Sequence, residues 1–193
     1  YFWAKKSLQS KFHTIVDKPI TSNEKQLREL IDLSRKNKRL LVESTFFNYH
    51  LQMKKIIKIH KYDKFKRIYA KFIIPKPDKS SILISKKLEG GVLMDMGPYI
   101  SSVARLFNLN TLLNKNVKIK KDKAKLITSI EFLINFKEGN YKGIFEFGGK
   151  YKNQLKIISE NKSSIVERVF SPPENENLNL ELITKNNTKN IKL

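Results

Sequence analysis

The sequence predicts an α/β segment followed by a larger α+β domain, the latter a mostly antiparallel sheet with helices on one face. Three observations carry this. Residues 12–44 read strand, helix, strand; residues 64–74 alternate apolar and polar with period two; and from Leu126 onward short apolar runs are punctuated by turn residues. Between the second and third lies the stretch around which the chain is organised, L-E-G-G-V-L-M-D-M-G-P-Y-I-S-S-V-A-R-L-F, from Leu88 to Phe107.

Residues 2–10 read as the end of a helix, with Phe2, Trp3 and Leu8 as candidate core. F-H-T-I-V is a strand running into Asp17-Lys18-Pro19. Thr21 is the expected N-cap of the next helix, with Glu24 completing a capping box. Leu27, Leu30, Ile31 and Ser34 give that helix an inner stripe to about Lys36, and L-L-V-E-S follows as a second strand. Strand, helix and strand in so few residues form a parallel crossover unit. Residues 1–44 therefore read as the last portion of a doubly wound, Rossmann-type domain. The seven glycines stand at positions 90, 91, 97, 139, 143, 148 and 149, so no glycine-rich phosphate turn follows an early strand. The expectation is a chain truncated on its N-terminal side.

Residues 45–193 form the second domain. T-F-F-N-Y-H is an aromatic crossover, followed by a helix burying Leu51, Ile56 and Ile59. Ile68, Ala70, Phe72 and Ile74 share one face of a strand that ends at P-K-P, and a polar loop covers 78–89. The central helix is expected at or just before Asp95, with Pro98 in its first turn, where a missing N–H costs nothing. Asp95 and Tyr99, four apart, then share a face, and Ile100, Val103, Ala104 and Phe107 form the buried side. Read alone, the pair is an N-terminal helix acid and a half-buried tyrosine. Leu126–Phe136 and Tyr141–Phe147 form a hairpin with Gly139 at its turn; Gln154–Ser159, Ser164–Phe170 and Leu178–Ile183 are further strands.

The net charge is +21, yet the lysines are spread from end to end among many Ile and Asn, as an A/T-rich codon bias produces. No helix carries a one-sided basic stripe, so nucleic acid is not the expected partner. The absence of cysteine excludes disulfides and thiol chemistry and is compatible with the cytoplasm. No apolar run approaches a membrane span. The three histidines share no ligand spacing, so no metal site is expected; His13 and His60 receive no role.

Four segments, in order, carry a family resemblance. D-K-P after a strand resembles the E-K-P motif of the Gfo/Idh/MocA oxidoreductases. V-E-S-T-F-F-N-Y-H-L-Q resembles the crossover of a branch that includes dihydrodiol dehydrogenase, G-G-V-L-M-D-M-G-P-Y is similar to the family's G-G-G-x-L-x-D-x-G-x-[HY] signature, and E-R-V-F-S-P-P resembles a late strand. The resemblance implies an enzyme using NAD or NADP on a sugar or related polyol, with Lys18, Tyr99 and Asp95 as its catalytic set. It places Asp17, Lys18 and Pro19 at the cofactor and Asp95, Asn48 and His50 at the substrate. It also implies a homo-oligomer paired through the sheet face, and a chain continuing beyond Leu193. A tyrosine of pKa ~10 is a poor base at neutral pH, but a nearby lysine ammonium favours its phenolate. Three residues depart from the pattern: Asp17 replaces Glu, Asn48 stands where the branch has Arg, and Leu51 where it has Pro. The alternative reading is a non-catalytic basic module for dimerisation or for holding an anionic partner.

Overall fold

In the computed structural model, which describes residues 1–173 and 178–192, the chain divides into two compact units, Tyr1–Thr45 and Phe46–Leu193. The first contains α1 (Phe2–Gln9), β1 (Thr14–Asp17), α2 (Glu24–Asn37) and β2 (Leu41–Ser44). The two strands pair in parallel from Thr14 with Leu41 to Asp17 with Ser44, and α2 is the crossover between them. Ala4, Leu8 and Leu30 form a small core, with Val16, Leu33 and Leu41 packed against it.

Two expectations for this unit need correction. Phe2 and Trp3 are 57% and 77% exposed; the inward positions of α1 are Ala4 and Leu8, one turn apart, and the Lys6 ammonium lies over the Phe2 ring at 4.6 Å. The N-cap of α2 is Asn23, not Thr21, because the Asn23 carboxamide oxygen accepts the Gln26 N–H at 3.0 Å.

The second unit contains α3 (Leu51–His60), β3 (Lys66–Ile74), α4 (Val92–Leu106), β4 (Leu112–Lys121), β5 (Ile127–Phe136), β6 (Gly139–Phe147), β7 (Lys152–Ile158), β8 (Lys162–Glu167), β9 (Asn179–Thr184) and β10 (Thr188–Lys192). Among the described residues these strands form an eight-stranded sheet in the order β10-β9-β8-β7-β3-β6-β5-β4, antiparallel except where β3 pairs with β6. Period-two alternation fixes which face is buried. Ile68, Ala70 and Phe72 stand opposite Tyr141, Gly143 and Phe145 on one side, and opposite Ile157, Leu155 and Asn153 on the other. This face carries the core, closed over by Met53, Ile56, Val92, Met96 and Val103 from α3 and α4. Fully burying a side chain such as Phe145 stabilises the unit by about 2–3 kcal/mol.

Several details differ from the sequence expectation. Leu51 is 61% exposed, because Gln52 and Met53 take the inward positions of α3. The loop before α4 holds two short 3-10 turns, Ile82–Ile84 and Lys86–Leu88. Gly139 is the first residue of β6 rather than a turn residue. A side chain there would meet the Lys66 carbonyl at 2.1 Å, so glycine is required by the close approach of β3. The strands β4 and β10 were not expected; every residue of β4 is exposed.

Candidate active site

The site is built on the start of α4. Gly91 has φ 107° and its N–H reaches the Leu83 carbonyl at 2.7 Å, while a Cβ there would lie 3.1 Å from the Ile127 carbonyl. A glycine thus lets the chain pass close over β5 and enter the helix at Val92. Asp95 falls in the first turn, its N–H bonded to the Gly91 carbonyl at 3.0 Å, at the end of the helix that favours a carboxylate. The early start moves Pro98 from the first turn into the helix interior, where it removes the backbone bond to Met94.

One turn beyond Asp95, the half-buried Tyr99 packs among aromatic rings from three other parts of the unit. Phe47 lies edge-on at 5.5 Å, Phe72 of β3 at 5.7 Å, and Phe170 at 5.5 Å with its plane tilted 33°. Phe47 belongs to the crossover segment and Phe170 to E-R-V-F-S-P-P, so three of the four segments that carry the resemblance meet on this ring. Contacts of this kind contribute about 0.5–1.5 kcal/mol each beyond burial. The neighbours Phe46 and Tyr49, by contrast, are 76% and 68% exposed.

Asn48 lies in the 3-10 turn Phe46–Tyr49, and His50 caps α3 through Nδ1, which accepts the Gln52 N–H at 3.3 Å. Partial burial lowers the His50 pKa. Gln52, which the sequence did not single out, is fully buried and donates from Nε2 to the Glu167 carbonyl at 3.0 Å, tying the crossover to the end of β8. Asn48 Oδ1 and Gln52 Oε1 are buried acceptors without a hydrogen-bond partner among the described residues.

The remaining sequence-predicted residues lie in the first unit. Asp17 ends β1 and its carboxylate accepts the Lys18 N–H at 2.8 Å; the Lys18-Pro19 peptide bond is cis. Glu43 of β2 holds the turn that follows, accepting the Ile20 N–H at 3.0 Å and the Thr45 hydroxyl at 3.2 Å. Its role was invisible in sequence, where it reads as one residue of a strand. The structure thus gathers Asn48, His50, Asp95 and Tyr99 in one unit and Asp17, Lys18 and Pro19 in the other.

A second polar group occupies the opposite end of β3. His60, fully buried at the end of α3, has Nδ1 at 2.7 Å from Asp63 Oδ2 and Nε2 at 2.9 Å from Ser164 Oγ, and Lys162 reaches Asp63 Oδ1 at 3.1 Å. The order Asp, His, Ser matches a nucleophile relay, but Ser164 has no exposed surface for a substrate to reach. The group clasps α3 to β8. Burial lowers the His60 pKa against the opposing pull of Asp63. Burial raises the Asp63 pKa, but hydrogen bonds from Ser159, His60 and Lys162 outweigh it, leaving the pKa lowered.

No family model matches the sequence. The chain is 23% identical over 176 residues to the dTDP-3,4-didehydro-2,6-dideoxy-alpha-D-glucose 3-reductase of Saccharopolyspora spinosa, covering 89% of this chain and 53% of that protein. Among solved structures, it matches KijD10, a 3-ketoreductase from Actinomadura kijaniata in complex with NADP and TDP-benzene, with a TM-score of 0.87 at 20% identity, over 100% of this chain and 61% of the other. Its fold is that of the Gfo/Idh/MocA oxidoreductases. An aldose-aldose oxidoreductase from Caulobacter crescentus complexed with glycerol shares this fold, with a TM-score of 0.85 at 13% identity, over 98% of this chain and 58% of that one. The chain spans about half the length of the curated relatives it matches. Among the described residues, no group of His, Asp and Glu is arranged to hold a metal, and no helix is long and apolar enough to cross a membrane.

Proposed function

We propose that this chain belongs to an NADP-dependent oxidoreductase of the Gfo/Idh/MocA type that transfers a hydride between nicotinamide and a hydroxyl or carbonyl carbon of a sugar, with a nucleotide-linked sugar as the substrate class. The observation that carries the reading is the convergence of two remote motif segments, through Phe47 and Phe170, on the Tyr99 ring of a third, with Asp95 one turn away on the same helix. The relatives named above supply the substrate class, and the NADP held by KijD10 favours that cofactor.

The residues after β1 fit such a cofactor. Ligands of open parallel sheets bind beyond the carboxyl ends of the strands, and that is where Asp17, Lys18 and Pro19 stand. When bound, the nicotinamide supplies the hydride carrier. In this reading the Tyr99 hydroxyl takes the proton from a substrate hydroxyl, or gives it to a carbonyl oxygen in the reverse direction. In the same reading the role of Lys18 is to stabilise negative charge developing on the substrate oxygen. Asp95 accepts hydrogen bonds from neighbouring sugar hydroxyls. Pairing of two copies through the open sheet face is part of the same proposal, supported by Tyr69, Ile73, Leu133 and Ile144 on the side opposite the helices.

The test is to read the coding frame around these residues and assay the encoded enzyme with both cofactors over free and nucleotide-linked sugars. Turnover that prefers NADP and is lost in both Tyr99→Phe and Lys18→Ala supports the reading. Turnover unaffected by either substitution overturns it. Residues 1–193 alone, which lack a glycine-rich phosphate turn, are expected to show no micromolar NADP binding.

A further inference from the structure

The strand expected to continue to Phe170 stops at Glu167. Arg168 turns the chain with φ 54°, in the left-handed region that a non-glycine residue adopts only when its surroundings hold it there. One residue of the neighbouring strand bonds to this turn at three points. Asn153 of β7 is 2% exposed and stands opposite Phe72 on the core face. Its carbonyl accepts the Arg168 N–H at 2.6 Å, its Oδ1 accepts the Phe170 N–H at 3.0 Å, and its Nδ2 donates to Ser171 Oγ at 2.9 Å. Nδ2 also lies 3.4 Å from the Tyr151 hydroxyl. Clamped in this way, the segment puts the Phe170 ring against Phe72 at 5.5 Å and Tyr99 at 5.5 Å.

We propose that Asn153 is a positioning residue for Tyr99, acting through Phe170. The side-chain amide fixes the Phe170 backbone, and the Phe170 ring sets the direction in which the Tyr99 ring, and so its hydroxyl, points. A carboxamide suits the task because it offers an acceptor to Phe170 and a donor to Ser171 from one rigid plane, with no charge to bury. An apolar isostere would leave the Phe170 N–H buried without a partner. The proposal rests on the reading of Tyr99 as the acid/base of the site, and it assigns no contact between Asn153 and substrate.

The test uses the 193-residue chain with 13C-labelled tyrosine rings, the Tyr99 signal being assigned with Tyr99→Phe. Asn153→Leu is expected to displace the Tyr99 ring signal and leave that of Tyr62, at the far end of β3, in place. Asn153→Asp supplies a conservative rescue. Its carboxyl, buried at this position, keeps acceptor and donor while protonated and loses the donor on ionisation. The Tyr99 signal should therefore sit at its native position at the lower end of the stable pH range and move as the pH rises by more than it does in the parent chain. Should Asn153→Leu fail to fold, Phe170→Leu leaves the backbone clamp intact and must still displace the signal. A Tyr99 signal unmoved in folded Asn153→Leu or in Phe170→Leu overturns the proposal. In the complete enzyme, misplacing the hydroxyl should lower kcat by roughly ten- to a hundredfold with little change in KM. If instead Tyr99→Phe leaves turnover intact, the catalytic reading falls while the ring displacement stands, so the two failures are separable.

Discussion

The two ends of β3 have the same pleat and the same buried face, yet they treat polar groups in opposite ways. At the Lys66 end, His60, Asp63, Ser164 and Lys162 satisfy one another, and the His60 and Ser164 side chains at the centre of the group are fully buried. At the Phe72 end, a partly exposed tyrosine stands among aromatic rings, in the same end of the unit as two buried acceptors, on Asn48 and Gln52, that have no partner among the described residues. Residue types alone would nominate the first end, since Asp, His and Ser in hydrogen-bonded order resemble a catalytic relay. A closed network holds elements together, whereas the two buried acceptors near the half-buried Tyr99 are groups that a ligand's own donors could satisfy.

The sharpest break of this comparison is kinetic. On the proposed function, Tyr99→Phe should lower kcat by about 10²–10⁴, the range of general acid/base contributions. Ser164→Ala should leave kcat within about twofold, and a large loss there would reverse the assignment of the two ends. Next in size is stability. His60→Ala removes a fully buried ring and strands Ser164 and Asp63, at a cost of about 2–4 kcal/mol by urea denaturation of the chain.

Part of the pH dependence should come from the same end, beside a contribution from His50, whose pKa is likewise lowered by burial. Burial holds the His60 pKa below its ordinary 6.5, with Lys66 and Lys162 adding to the effect and Asp63 opposing it. Below pH 6.5 the unfolded chain therefore binds more protons than the folded one at this residue, so stability is full above that pH and falls as pH drops through it. The slope is at most about 1.4 kcal/mol per pH unit for one proton. Asp63, also lowered, adds loss at more acidic pH. His60→Gln should flatten the curve between pH 7 and 5, and an unchanged curve would show that His60 is not the group responsible. The smallest effect is expected at Gln52→Leu, which gives up one hydrogen bond to Glu167 but also removes a buried acceptor without a partner; stability should change by no more than about 1 kcal/mol.

The sequence made some of this legible and hid the rest for identifiable reasons. Ile68, Ala70 and Phe72 declare their face by period two, and Asp95 and Tyr99 declare theirs by a spacing of four, because local geometry alone sets both patterns. The start of α4 was misjudged because the φ of Gly91, not the proline, launches the helix. The strand β4 was read as solvated lysine-rich chain, since an edge strand exposed along its whole length has no buried residues to report its period. Asn153 did leave a trace: in N-Q-L-K-I it takes a position where the alternation of Leu155 and Ile157 calls for an apolar side chain. Asparagine is so frequent in this chain that the trace does not stand out. The Gln52 and Glu43 contacts join segments far apart in sequence, and no local pattern encodes them.

Strand β4 also bears on how the protein behaves in concentrated solution. Its outer backbone groups have no neighbour in the sheet, and such a rim can template fibrils by adding strands from other molecules. Lys115, Lys118, Lys120 and Lys121 line it, so two identical rims approaching each other bring like charges together. Their like charge disfavours edge-to-edge pairing of two copies. Because salt screens their repulsion, the protein should be most resistant to fibril growth at low ionic strength.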